Sequence, residues 1–564
     1  MSLPQADNTR SDGRFLRNFG LLVCLSIGTL LLTSALIRPH TPLYTLIRPH
    51  TPIETRSSSG KADHALDQIV QDLDESFRND WVRFGIQPAG KAEDLLIARR
   101  ISLALTGTIP SLQEIEALLR LPGEDRTEWW LTHLFNDKRY ADYVAERLTR
   151  TYVGTESGPF LVYRRRRLKE WLSGQIEENI RYDQLARSLI DSKGIWTSNP
   201  EVNFVTVSID QNNDKKGPDE IKLAARLTRA FLGVRIDCMQ CHDDKFGDRW
   251  KQEDFHQLAS FFSQAEMSFK GVRDNEKVSY QYRFKGEKEE RTVPSAVPFL
   301  PELLPAEGTA RSRLAGWVTH PENKAFARTT VNRIWALMFN QPMISPIDDI
   351  PLDGPFPPGM EILAEDLVKN GYNLQRLIRI IASSRVFQMS SRSDDPGTPV
   401  TSLQEERHAV FPLSRLRPEQ VAGSVIQASS LTPIDSGSHV LSRISSLTQT
   451  GSFLKRYGDL GEDEFGDATG TIPQRLLLMN GELVRKRTEN NMVGNASTRI
   501  GALATSDEKA VELAYLTLLS RYPSTTESEH FVPLLDGLKG EERGKAMQDI
   551  CWALINSTEF SWNH

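Results

Sequence analysis

Cysteine is scarce in this chain: four in 564 residues, at positions 24, 238, 241 and 551. So few thiols exclude a disulfide-dense scaffold, and the lack of a second Cys-x-x-Cys pair excludes a zinc ribbon built from one chain. Also missing are the Gly-x-Ser-x-Gly elbow, His-Glu-x-x-His, the P-loop and the dinucleotide-binding glycine pattern, so enzymes with those signatures are disfavoured. Charge of one sign is short as well. A net charge of −6 gives no basic domain for nucleic acid, and none is expected as a partner. The one basic run, Arg164 to Arg167, leads into LKEWLSGQIEENI, where Leu168, Trp171, Leu172 and Ile176 recur at helical spacing, so a solvated helix face is expected there.

Long uncharged runs are equally rare, and one stands out. Phe19 to Ile37 holds 19 residues without a charge, long enough for a helix to cross a hydrocarbon core of about 30 Å. The expectation is a transmembrane anchor at 19–37 behind a cytoplasmic tail at 1–18, with a cleaved signal peptide as the alternative, since such segments also have basic n-regions. Arg10, Arg14 and Arg17 precede it, and the positive-inside rule then places the bulk of the chain outside the cytoplasm, in the periplasm or at the cell surface. Residues 38–63 form a proline-containing stalk in which the hexapeptide Ile-Arg-Pro-His-Thr-Pro, at 37–42, returns at 47–52. His40 and His50 in such a stalk make a poor metal site.

The chain as a whole has the composition of a folded protein, with 39% hydrophobic and 25% charged residues, and a length that suits two to four units. From 64 to 270 the pattern is helical. Ser111-Leu-Gln-Glu114 spells a capping box, and Pro218-Asp-Glu opens a helix carrying Ile221, Ala225, Thr228 and Leu232 on one face and ending at Gly233. Between 271 and 308 the texture changes: Val278, Tyr280, Tyr282 and Phe284 alternate with polar residues, Lys285 to Lys288 reads as a turn, and a proline-rich linker comes next. Helices resume over 309–564, at 325–339, 360–369 and 374–384, with a possible subdivision near 391–411. The fold class expected is mainly α, multi-domain, with a small β-hairpin insertion and the one N-terminal transmembrane helix.

The chemistry concentrates in Asp237-Cys-Met-Gln-Cys-His-Asp-Asp-Lys-Phe246. Cys-x-x-Cys-His is the attachment pattern of c-type haem: two thiols at this spacing meet the two vinyl groups, and the adjacent histidine becomes the axial ligand. Cys238 and Cys241 would be the thioether positions and His242 the proximal ligand. Met267 and His256 are the candidates for the distal position. A second reading is a zinc or iron site with Cys238, Cys241 and His242 as donors and Asp244 or Asp243 as the fourth. A reversible or structural disulfide is a third. Cys24 and Cys551 lie in apolar patterns that suit inert burial. The acidic loop Gly461 to Asp467 lacks the alternation of an EF-hand and reads as a solvated turn. His320 and Asn323 look like turn and cap residues, and Asp348-Asp349 sit in a proline-bounded loop.

Several longer stretches carry a resemblance: LLIARRISLALTGTIPSLQEI, FLGVRIDCMQCHDDKFGDRWKQEDFHQLASFF, RLAGWVTHPENKAFARTTVNRIWALMF, GYNLQRLIRIIASSRVFQMSS, TIPQRLLLMNGELV and CWALINSTEF. In these the chain resembles the exported planctomycete-type proteins that fuse a cytochrome-like, PSCyt-type domain of unknown function to a PSD-type domain of unknown function. The likeness covers nearly everything after residue 64. It implies export and a cytochrome-like Cys-x-x-Cys-His, and little more about activity. Family members often carry a second histidine two residues after that of the motif, whereas this chain has Asp244 there. The expectation for function is therefore a membrane-anchored, extracytoplasmic carrier of one covalent haem, acting in electron transfer with a redox or cell-envelope protein partner. The opposing expectation is a cell-envelope scaffold braced by a non-haem metal or a disulfide; whether the chain is an enzyme stays open.

Overall fold

The computed structural model describes residues 60–155, 163–209, 217–244, 249–395, 397–434, 453–457, 471–491 and 495–564. Helices dominate them. The Ser111 hydroxyl accepts from the Glu114 amide while Glu114 accepts from the Ser111 amide, so the capping box read from the sequence opens the Leu112–Leu119 helix. Asp219 and Asn373 cap the Glu220–Leu227 and Leu374–Ser383 helices in the same way. The helix beginning at Glu220 continues through a wider turn at Thr228–Leu232 and stops at Gly233, which takes φ +60. A Cβ there would lie 2.6 Å from the Thr329 hydroxyl, so glycine is required on steric as well as conformational grounds.

Strands are few and short. Ala265–Ser268 pairs antiparallel with Gly271–Asp274, Gln281–Tyr282 with Arg291–Thr292, and Ser414–Arg415 with Trp562–Asn563. The second pair is the hairpin expected from the alternation at 278–284, reduced to two residues a side.

The two long segments at 64–270 and 309–564 share one buried core, and the described residues pack as one unit. Three buried arginines tie them. Arg99, in the Asp94–Thr106 helix, donates to the carbonyls of Leu518 at 3.0 Å and Phe560 at 3.2 Å. Its neighbour Arg100 donates to the carbonyls of Phe387, Met389 and His564 at 2.9, 2.7 and 2.7 Å and stacks 3.7 Å above the Phe411 ring. Arg311 reaches the other way, pairing with Asp274 at 2.8 Å and donating to the carbonyls of Ile190 and Ser192. A guanidinium carries five donors in a fixed fork, so it can satisfy carbonyls from several elements that lack helix or sheet partners.

The membrane-anchored reading needs correction. Among the described residues no helix is long and apolar enough to cross a membrane. Gly60–Phe84 has the length, 25 residues, but carries charges on nearly every turn; Lys324–Phe339 is apolar but has 16 residues, short of the roughly 20 a span needs. The run at 19–37, the stalk repeat with His40 and His50, and the acidic loop at 461–467 lie outside the described residues. Among the described residues the fold class is mainly α, with no helix long and apolar enough to cross a membrane. The extracytoplasmic placement, which rested on that anchor, is withdrawn with it.

Candidate functional site

The Cys-x-x-Cys-His segment comes just after Gly233 as a single tight turn, Asp237–Gln240, and both thiols are exposed and free. One backbone atom fixes this turn. The Gln240 carbonyl accepts from Gln252 Nε2 at 3.0 Å, from His256 Nε2 at 3.1 Å and from the Tyr282 hydroxyl at 3.2 Å. Because a carbonyl only accepts, Nε2 of His256 carries the proton. Its Nδ1 is then the acceptor, and it meets the Tyr280 hydroxyl at 2.9 Å. The imidazole is 0% exposed and lies on the Tyr282 ring with centroids 3.4 Å apart. Burial pulls its pKa below the usual histidine range, against the opposing pull of the Gln240 bond, which fits a neutral ring.

A second set of bonds holds the residues after the motif. Asp243 Oδ1 accepts from the Gln252 amide at 2.7 Å, so this carboxylate caps the Gln252–Ala259 helix, and the Asp244 amide donates to the Trp250 carbonyl at 2.8 Å. His242 is half-exposed, and its Nδ1 lies 2.8 Å from the Asp243 carbonyl. The same logic makes Nδ1 the protonated nitrogen and leaves the lone pair on Nε2, which no described residue meets.

The sequence candidates therefore part ways. Cys238 lies in the Asp237–Gln240 turn, and Cys241 and His242 follow it directly. His256 serves that turn through the Gln240 carbonyl, and with both nitrogens engaged it has no lone pair left for a distal bond. Met267 sits half-buried in the Ala265–Ser268 strand opposite Val272. Among the described residues the one group of three or more His, Cys, Asp or Glu donors within 4.8 Å is Glu114, His133 and Asp137. Cys238, Cys241, His242 and Asp244 thus do not converge as a closed metal site. Nor does the Glu114 group suit a cation, because the Arg139 guanidinium already pairs with both Glu114 and Asp137. That ion pair, after the opposing effect of burial, holds Glu114 down at about 2.

Sequence reasoning assigned Asp348-Asp349 no task, and the structure supplies one. Asp348 pairs with Arg235 at 2.6 Å, Arg229 pairs with Asp237, and the Ile350 amide donates to the Gly233 carbonyl at 2.7 Å. The proline-bounded loop of the second segment is in this way clamped to the residues just before Cys238. Burial, with Asp348 and Asp237 nearby, raises the Asp349 carboxyl above the usual range against the pull of Arg235. The doublet of acids was the available signal.

Comparison with known families places these elements. The PSCyt2 model, described as a protein of unknown function (DUF1549), matches residues 72–267, and the PSD1 model, a protein of unknown function (DUF1553), matches residues 310–452. The chain belongs to the proteins that fuse these two domains. Both families are of unknown function, so the matches assign no haem, cytochrome or electron-transfer role, and the cytochrome label expected from the resemblance is not carried by them. No curated protein matches the chain, and no solved structure does.

Proposed function

We propose that the chain holds one covalent haem through Cys238 and Cys241, with His242 as axial ligand, and works as a redox component with a protein partner. The observation that carries this reading is the His242 tautomer. A ring that donates from Nδ1 to a backbone carbonyl leaves Nε2 as the nitrogen able to ligate, the arrangement second-shell bonds give to a ligating imidazole. Two exposed thiols on one turn complete a donor set that fits the group. Haem bound here would supply the one-electron chemistry. The chain's part is to hold the turn: His256, Gln252 and Tyr282 fix Gln240, and Asp243 both accepts from Gln252 and orients His242. His256 would act as a positioning residue and not as a ligand, since both its nitrogens are hydrogen-bonded.

The test is a pyridine haemochrome spectrum and haem-stained denaturing gel of the full chain co-expressed with a cytochrome c maturation system. Covalent haem lost in Cys238→Ala/Cys241→Ala supports the proposal. Folded, colourless protein refutes it. A second reading, a reversible disulfide between the two thiols, is favoured by their exposure on the same turn, and a thiol count before and after dithiothreitol decides it.

A further inference from the structure

The Cys-x-x-Cys-His motif is anchored from both sides, and the anchors come from different segments. Behind it, the Gln240 carbonyl and the Asp243 carboxylate are held by Gln252, His256 and Tyr282. Ahead of it, the chain from Thr228 to Asp237 is gripped by the Lys324–Phe339 helix and by residues 348–350, all inside the PSD1 match.

The grip begins where the helix widens. The Gly233 and Val234 amides both donate to the Thr228 carbonyl and so pass over Arg229 and Ala230, whose carbonyls need another donor. Arg333 supplies it, from Nη1 to the Ala230 carbonyl at 2.7 Å and from Nη2 to that of Arg229 at 3.5 Å. This guanidinium is 7% exposed, so its bonds are made out of water, where a charged donor counts for most. The residues that follow are fixed one after another. The Gly233 carbonyl takes the Ile350 amide, Val234 and Ile236 are buried, and Arg235 pairs with Asp348. Asp237 pairs with Arg229, the residue whose own carbonyl Arg333 holds.

We infer that the PSD1-type segment positions Cys238 for the chemistry of the motif, with Arg333 as the positioning residue, while Cys241 and His242 take their place from residues 252–282. The inference builds on the haem reading, in which the two thiols must reach two points of one group. Only Met239 and Gln240 lie between the thiols, so a shift of one anchorage against the other passes directly into their separation.

That separation is read in solution as an equilibrium constant. The Cys238 and Cys241 thiols and one oxidised glutathione give the intramolecular disulfide and two reduced glutathiones, and peptide mapping of the full chain in glutathione buffers yields the constant. The native wild type should differ from the same chain in urea. Arg333→Met should move the native constant about tenfold toward the unfolded one. Arg333→Lys, which keeps a donor, should move it less, and Asp348→Asn should move it in the same direction. Arg100→Met, a loss at another contact of the two segments, should leave the constant alone. Circular dichroism checks that each variant folds, and if Arg333→Met does not, Asp348→Asn decides. Equal constants in native and unfolded wild type, no shift in the folded variants, or the same shift in Arg100→Met each overturns the inference. Haem is read separately, in the host competent for cytochrome c maturation. There Arg333→Met should keep the Cys241 thioether and lose that of Cys238, moving the haemochrome α band to longer wavelength; retention of both thioethers overturns the inference. A colourless wild type refutes the haem reading instead, and the glutathione constants still decide the role of Arg333.

Discussion

Replacing His256 by phenylalanine keeps a ring on Tyr282 and removes both nitrogens. The two losses are unequal. Gln240 gives up one of three donors and keeps Gln252 and Tyr282, so that loss is worth about 1 kcal/mol. The Tyr280 hydroxyl, on a buried side chain, is left with no acceptor, a further cost of about 1–3 kcal/mol. His256→Phe should then destabilise the chain by about 2–4 kcal/mol. Removing the stranded hydroxyl as well relieves most of the second cost, so His256→Phe/Tyr280→Phe should be more stable than His256→Phe alone. Tyr280→Phe alone strands Nδ1 and should cost about 1–2 kcal/mol. The assay is urea denaturation of all four proteins, read together with the rate at which iodoacetamide modifies Cys238 and Cys241. A double variant as unstable as the sum of the two singles would refute the assigned bond between these side chains. Unchanged alkylation rates in His256→Phe would refute its hold on the turn.

Three further outcomes rest on buried charge and burial. Arg100→Met strands the carbonyls of Phe387, Met389 and His564 and should lower stability by about 3 kcal/mol or more, checked by the same denaturation. Folding holds His408 at about 4 and Glu114 at about 2, both below their unfolded values of 6.5 and 4.5. In each window the unfolded chain binds the proton first, so stability is full at higher pH. His408 should withdraw about 3 kcal/mol as pH falls from 6.5 to 4, and Glu114 a similar amount below 4.5. Stability curves of His408→Phe and Glu114→Gln should each lack one of these declines. Mass-spectrometric mapping should find Cys238 and Cys241 alkylated in the native protein and Cys551 only after unfolding, since burial pushes its thiol up to about 12.

The helices were legible because their signals are local. Ser111 with Glu114, Asp219 and Asn373 announce helix starts from within four residues, and Gly233 announces an end. The Ala265–Ser268 hairpin was not legible: its tip residue Gly271, at φ +88, is required because a Cβ would strike the Gly194 carbonyl, a neighbour 77 positions away in sequence. At the site, the motif identified Cys238, Cys241 and His242. The use made of His256 was hidden, because the Gln240 carbonyl gathers donors from 12, 16 and 42 residues downstream and no spacing rule connects them. The role of Arg99 and Arg100 was equally hidden. Nothing in LLIARRIS points to acceptors hundreds of residues away, yet both are buried against carbonyls of the second segment.

Those two arginines also set an order of events in synthesis. Their acceptors lie from 287 to 464 residues downstream, so the Asp94–Thr106 helix leaves the ribosome long before Phe387, Leu518, Phe560 and His564 exist to receive it. During that interval two guanidinium groups and the apolar face beside them have no native place to go. The nascent PSCyt2 segment thus stays without the acceptors of its two arginines until the rest of the chain follows, and separating the two segments into independent chains would leave those contacts unmade.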